Sequence, residues 1–184
     1  MGTNKVKHVY HGSLDKFNEI DLSKASKYGD FGSGFYLSDT QEHAVSAAAR
    51  KVPVLIRKQI SLKIYLYEYI LPVNWENNIV KKVFHGPDAE WFQYVAYNRN
   101  TDKSKTIINY NYDIVYGPTA DAAAARVIDD YNVGNYGEIG SDTAITKAIE
   151  ALKPWIFPRQ VCIKTEKAKQ YALKISEKEV RMYE

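Results

Sequence analysis

Apolar residues along the chain follow two different patterns. Segments rich in β-branched and aromatic residues, often alternating with polar ones, are typical of strands, and segments with apolar residues every three or four positions are typical of helices. The strand pattern covers residues 7–12, 34–38, 62–71, 112–118, 160–165 and 179–183. The helical pattern covers residues 38–52, 85–100, 119–131, 142–153 and 166–175. Helices placed between strands, without a repeat or a linker, predict an α+β fold in a single domain spanning residues 1–184.

The composition narrows the function classes only slightly. The chain has 184 residues and a net charge of +3, without a run of Lys or Arg dense enough for a nucleic-acid-binding arm. The N-terminal residues lack the apolar centre of a signal peptide, and no window approaches roughly eighteen uncharged apolar residues. These features favour a cytoplasmic protein without a membrane partner.

Cysteine and histidine are too few and too scattered for a metal centre. Cys162 is the one cysteine, which excludes an internal disulfide, and its apolar neighbours predict a buried strand residue. The four histidines (residues 8, 11, 43 and 85) show no metal-ligand spacing with one another or with Cys162. We therefore expect no metal. The His85-Gly86 pair stands before Pro87 at the start of the helical segment 85–100, which indicates a helix-entry turn rather than a second site.

The stretch "YGDFGSGFYLSD", residues 28–39, holds three glycines and four aromatic residues. It is not a phosphate-binding loop of the Walker type, because Gly34 is followed by Phe35 and Tyr36 instead of Lys and Ser or Thr. It matches three letters of a kinase signature, but no His-Arg-Asp catalytic loop precedes it. A dinucleotide-binding fingerprint places its glycines before a helix, whereas here they precede a strand. The remaining interpretation is a loop that presents Tyr36 to a planar ligand.

Several segments together resemble a known family. The segments "VYHGS" and "GDFGSGFYLSDTQEHA" are similar to the NAD-binding core of the ADP-ribosyltransferase superfamily, on the branch whose site combines His, Tyr and a third polar residue. The segments "EWFQYVAYNR", "YDIVYGPTAD" and "RQVCIKTEKAKQYALKI" follow in the same order, so the resemblance covers residues 7–175. It is strongest to bacterial ADP-ribosyltransferase-like domains of uncharacterised function. The resemblance implies an ADP-ribosyltransferase-like split β-sheet core with surrounding helices, and NAD as the substrate.

The resemblance also implies roles for residues of this chain. The backbone of Gly12 would bind the nicotinamide carboxamide, with no Cβ to keep the ligand away, His11 would hold a ribose hydroxyl, and Tyr36 would stack on the nicotinamide ring. The catalytic residues would be His11, Tyr36 and Gln160. The NAD-binding set would comprise His11, Gly12, Ser13, Gly34, Phe35 and Tyr36.

Gln160 stands where transferases of this branch often carry a Glu. An amide can orient a ribose by hydrogen bonds but brings no negative charge to a developing oxocarbenium. Three alternatives follow: a transferase that relies on its acceptor or on the NAD phosphates for charge, a carboxylate supplied from elsewhere, or an inactive NAD-binding relative. We favour the first. For the second, Glu138 in "NYGEIGSD" is the candidate acceptor-loop residue, and Asp121 and Glu68 are the other carboxylates of interest.

The expected function is NAD-dependent mono-ADP-ribosyl transfer to an unknown acceptor, which can be a protein, a nucleic acid or a small molecule. Elongation to poly-ADP-ribose is not expected. A catalytically inactive module that binds NAD or ADP-ribose is the alternative. An RNA 2′-phosphotransferase-like activity would need an Arg cluster, and Arg159 alone is in a suitable place. Arg99 would bind either a phosphate or the last carbonyls of its helix. The toxin-like character of the resemblance also implies a neutralising partner protein.

Overall fold

The computed structural model describes residues 6–74, 78–100, 111–120, 122–152 and 157–182. The strands in these ranges are β1 (Val6–Ser13), β2 (Phe35–Ser38), β3 (Leu62–Pro72), β4 (Lys81–Val83), β5 (Ile114–Pro118), β6 (Arg159–Ile163) and β7 (Leu173–Met182). The helices are α1 (Gln41–Ala49), α2 (Val54–Arg57), α3 (Ala89–Arg99), α4 (Ala122–Asn132), α5 (Asp142–Ala151) and α6 (Glu166–Lys169), with a short 3₁₀ helix at Leu22–Lys24. None of the helices within these ranges is long and apolar enough to cross a membrane.

The seven strands form one mixed sheet in the order β4-β5-β6-β2-β1-β3-β7. β4 and β5 are parallel, and the other neighbours are antiparallel. β1 pairs with β3 over eight positions, from Val6 to Ser13, whereas its pairing with β2 consists of Tyr10 opposite Ser38. The sheet thus has two well-paired parts, β4-β5-β6-β2 and β1-β3-β7, which meet at one register pair. The predicted α+β class is confirmed.

The two faces of the sheet are covered differently. Along β6, Cys162 packs in a cluster with α3, α4 and α5, while Val161 and Ile163 belong to a second cluster with residues of β1, β2 and β3. Successive side chains of a strand point to opposite faces, which explains this division. Cys162 is fully buried, so the sequence prediction for it is confirmed, and burial raises the pKa of its thiol to about 11.

Helix α1 lies unusually close to β1. Three of its alanines are buried: Ala44, Ala48 and Ala49. A Cβ on Gly12 would lie 2.2 Å from the carbonyl oxygen of Ala44. Small residues on both elements therefore permit the close approach, and α1 forms one wall above the end of β1 where His11 and Gly12 lie.

The structure corrects one element of the sequence prediction and adds others. The helix predicted over residues 166–175 ends at Lys169, because residues 173–182 pair with β3 as one long strand. Tertiary pairing overrides local helix propensity here. The strand predicted over residues 179–183 is the second half of this β7. The short elements α2 and β4 were not predicted, since each has only three or four residues.

Candidate functional site

A cleft of ≈ 1370 Å³ lies over the ends of β1, β2 and β6, between α1 and the loops that precede β2. Among its lining residues are all seven that the sequence analysis singled out for catalysis and NAD binding: His11, Gly12, Ser13, Gly34, Phe35, Tyr36 and Gln160. Glu138 lies elsewhere, exposed in the turn between α4 and α5. Asp121 lies outside the described residues. The structure thus brings together residues that are up to 149 positions apart in the chain.

His11 bridges the poorly paired junction between β1 and β2. Its Nδ1 lies 2.7 Å from the carbonyl oxygen of Tyr36. Because a carbonyl only accepts, Nδ1 carries the proton and Nε2 is left as an acceptor. Burial, reinforced by the charge of Lys51 and opposed by the Tyr36 hydrogen bond, lowers the pKa of His11 to about 4. The ring also stacks on Phe35 at 4.2 Å. His11 is therefore a neutral, oriented hydrogen-bond acceptor at neutral pH.

The hydroxyl of Tyr36 organises the glycine loop, residues 28–34. It accepts from the backbone N–H of Phe31 at 3.0 Å and donates to the carbonyl of Gly32 at 2.6 Å. Burial, together with the nearby Cys162 and Asp30, raises the pKa of Tyr36, so the hydroxyl keeps its proton. The ring is partly buried and lines the cleft, and its orientation is set by this double hydrogen bond.

The glycines of this loop have structural reasons to be glycine. A Cβ on Gly29 would lie 2.4 Å from the Tyr36 hydroxyl, and one on Gly34 would lie 2.5 Å from the Cys162 sulfur. Gly32 has a φ of +79°, which disfavours any other residue. The bare backbone therefore allows the loop to close around Tyr36 and against β6.

Gly12 also has a packing reason to be glycine. Its missing Cβ was expected to let a ligand approach the backbone. The atom that a Cβ would strike is the Ala44 carbonyl oxygen at 2.2 Å, so packing of α1 on β1 accounts for the glycine. Gly12 still lines the cleft, but its small size is explained without a ligand.

Asp30, in the glycine loop, is the residue that the sequence analysis missed. It is 9% exposed and accepts three hydrogen bonds: from Arg99 at 2.9 Å, from the backbone N–H of Ala120 at 2.8 Å, and from Nε2 of Gln160 at 2.9 Å. We call these four residues the Asp30 network. A carboxylate therefore lies directly beside the neutral Gln160. The one available signal in the sequence was that Asp30 is the single acidic residue in 22–38.

A Ser–His pair lies on the neighbouring wall of the cleft. Ser38 is opposite both Tyr10 on β1 and Gln160 on β6, and it is 6% exposed. Its hydroxyl is hydrogen-bonded to Nδ1 of His43 at 3.0 Å. Burial and the charge of Arg50 lower the pKa of His43, against the opposing carboxylates Asp30 and Asp39. The wall around Gln160 is thus polar, with a second neutral imidazole.

Several cations line the cleft, among them Lys16, Lys24, Arg50 and Lys51. Lys16 pairs with Glu177 and Lys24 with Asp21, whereas no carboxylate among the described residues pairs with Arg50 or Lys51. Both of these follow α1, and the charge of Lys51 acts on His11 while that of Arg50 acts on His43. The part of the cleft lined by Arg50 and Lys51 is suited to an anion.

The other singled-out residues have partners of their own. Glu68 accepts from His8 at 2.7 Å and from Ser176 at 3.0 Å, and these hydrogen bonds lower its pKa. Arg99 pairs with Asp30 instead of a helix carbonyl. Arg159 donates to the carbonyls of Phe84 and His85 and lies outside the cleft. Among the described residues, no three His, Cys, Asp or Glu side chains gather closely enough to hold a metal ion.

Fold and site together define an α+β domain whose mixed sheet carries a large cleft, lined by an oriented His, a clamped Tyr and an amide hydrogen-bonded to a buried carboxylate. The chain belongs to the DUF3990 family, a family described as proteins of unknown function, which it matches over residues 7–174. No curated protein and no solved structure matches it. The cleft itself is therefore the basis for a functional proposal.

Proposed function

We propose that this protein is an NAD-dependent mono-ADP-ribosyltransferase. The observation that carries the proposal is that His11, Tyr36 and Gln160, which lie on three different strands, line one cleft. The resemblance assigns these same three positions to NAD binding and catalysis. The single register pair between β1 and β2 is also compatible with a split sheet, in which the ligand lies over the junction.

The residues present fit a dinucleotide. The cleft exceeds the roughly 300–1,000 Å³ of ordinary small-molecule sites, as an extended ligand requires. Nε2 of His11 is free to accept from a ribose hydroxyl because Nδ1 is engaged with Tyr36. The clamped ring of Tyr36 lines the cleft and would stack on the nicotinamide. Arg50 and Lys51 supply positive charge for the diphosphate.

The reaction would break the bond between nicotinamide and C1′ of the ribose, with the electron pair leaving on the nicotinamide nitrogen. Gln160 would orient the ribose hydroxyl while positive charge develops at C1′. The acceptor would then form a bond to C1′ and release its proton. Because oriented groups of the cleft would hold the NAD, most of the rate would come from orientation and electrostatics.

Free nicotinamide, followed by chromatography during incubation with NAD, tests the proposal. Tyr36→Ala should lower release more than about a hundredfold, because it removes both the stacking face and the anchor of the glycine loop. Tyr36→Phe keeps the face and should lose less. Tyr69→Phe is the matched control, since the Tyr69 hydroxyl is buried without a partner in the described residues and lies outside the cleft. Equal release from wild type and Tyr36→Ala would refute the assignment.

The neutral amide at Gln160 favours one alternative, an inactive module that binds NAD or ADP-ribose. Such a module would show no nicotinamide release from the wild type but would bind NAD in calorimetry, and Tyr36→Ala would weaken that binding. An absence of both release and binding would exclude the module as well as the transferase.

A further inference from the structure

We propose that Asp30 is a positioning residue that makes Gln160 effective in the site. This inference rests on the proposed function and concerns the same cleft. Asp30 and Gln160 are 130 positions apart, yet their side chains are hydrogen-bonded at 2.9 Å, and both are nearly buried at 9% and 8% exposure. The charge that is missing at position 160 is thus present one hydrogen bond away.

The hydrogen bond determines which way the Gln160 amide faces. An ionised carboxylate only accepts, so the amide nitrogen must point to Asp30 and the amide oxygen must point away from it. Gln160 lines the cleft, and its oxygen is then the atom available to a ribose hydroxyl. Without Asp30, the amide would be free to rotate and present either a donor or an acceptor.

The same hydrogen bond makes the amide oxygen a stronger acceptor. Donation to a charged group polarises the amide, and hydrogen-bonded chains strengthen one another where water is excluded. A chain from Arg99 through Asp30 and Gln160 would therefore deliver part of the carboxylate's negative charge toward the ribose. Arg99 offsets the charge of Asp30 and permits its burial. The effect on the ribose therefore depends on how the hydrogen bonds orient the Gln160 amide more than on the net charge of the three side chains.

This arrangement determines the expected effect of Gln160→Glu on the rate. On its own, that substitution would put two carboxylates within hydrogen-bonding distance in a buried site, where like charges repel and one is forced to take up a proton. Restoring the Glu of the related transferases therefore requires a hydrogen-bond donor at position 30. The double variant Asp30→Asn with Gln160→Glu meets that requirement, because the amide introduced at position 30 can donate to the carboxylate introduced at position 160.

The experiment measures kcat and KM for nicotinamide release in the wild type, Asp30→Asn, Gln160→Glu and the double variant. Asp30→Asn should lower kcat about tenfold to a hundredfold with little change in KM, and Gln160→Glu should be no faster than wild type. The double variant should recover most of the lost kcat. A purely structural role for Asp30 predicts no such recovery, since the double variant carries two substitutions in the same network.

Asp113→Asn is the control for folding, because Asp113 is an equally buried carboxylate that lies outside the cleft. It should leave kcat unchanged at a comparable loss of thermal stability. Undiminished kcat in Asp30→Asn, or a double variant no better than Asp30→Asn, would overturn this inference and leave the proposed function intact. No nicotinamide release from the wild type would overturn the proposed function and this inference with it.

Discussion

A buried carboxylate lies at each end of β6, and the two carboxylates accept the same kinds of hydrogen bond. Asp30 lies beside the start of the strand and Asp113 just beyond its end, and each is 9% exposed. Each accepts from one backbone N–H, one neutral side chain and one cation. The donors are Ala120, Gln160 and Arg99 for Asp30, and Val80, Thr165 and Lys167 for Asp113. We call the second set the Asp113 network.

The two networks differ in the second role of their neutral donor, which is Thr165 in one and Gln160 in the other. The hydroxyl of Thr165 also accepts from the N–H of Ala168, so it caps α6 and has no role in the cleft. The amide of Gln160 lines the cleft, and its oxygen is left for a ligand. A buried carboxylate thus joins distant segments at both ends of β6, and only at one end does it also orient a group toward the candidate site. Burial and hydrogen bonding alone do not distinguish the two uses.

Removing the carboxylates should produce the largest effects on stability. Asp30→Ala should lower the free energy of unfolding by about 3 kcal/mol, because it strands Arg99, Gln160 and the Ala120 N–H. Asp113→Ala should cost about 2 kcal/mol, because Lys167, at 3.5 Å and 43% exposed, can turn to water. Urea denaturation of both variants measures the difference. A larger loss at Asp113 would mean that the cation contributes little at either end.

Removing the neutral donors should separate stability from activity. Gln160→Met and Thr165→Val should each lower the free energy of unfolding by about 1.5 kcal/mol, because each removes one hydrogen bond to a carboxylate. Thr165→Val also removes the N-cap of α6. Nicotinamide release should then be lost in Gln160→Met and retained in Thr165→Val. Equal activity in the two variants would contradict the distinction between the networks.

The apolar pattern predicted most of the fold because it reflects burial, which is local to each strand or helix face. It predicted β1, β2, β3, β5 and β6 and four of the helices. It was wrong for residues 173–175, which pair with β3 about a hundred positions away. Short elements such as β4 depend on pairing with a neighbour, and no local pattern of three residues reveals that.

The part of the candidate site that could be predicted consists of residues that stand out individually in the sequence. His11, Tyr36 and Gln160 were chosen from separate segments, and the structure places them around one cleft, while their roles stay predictions. Asp30 was missed because its proposed role depends on a hydrogen bond to Gln160, 130 positions away in the chain. A single sequence does not reveal a contact between such distant residues. The packing of α1 explains why position 12 is a glycine, and the ligand role of its backbone stays a prediction.

The effects of pH are small near neutrality and grow on acidification, and they should act on the cleft and on the Asp113 network in different ranges. Folding lowers the pKa of His11 from its ordinary value of 6.5 to about 4. Between these two pH values, the unfolded chain therefore binds a proton on His11 that the folded chain does not bind. Stability should therefore fall as the pH falls through this range, by up to about 1.4 kcal/mol per pH unit, and His43 should add to the slope in the same direction. His11→Gln should flatten that slope.

Asp113 should respond only at lower pH. Burial raises its pKa, but the hydrogen bonds from Val80 and Thr165 and the charge of Lys167 outweigh burial, so its pKa lies below the ordinary value. Its contribution is present at neutral pH and is lost only below about pH 4, as the carboxylate becomes protonated. Urea denaturation from pH 7 to 3 should thus show Asp113→Asn parallel to the wild type above pH 4, and His11→Gln diverging from both there. A parallel His11→Gln would show that this imidazole is not held neutral in the cleft.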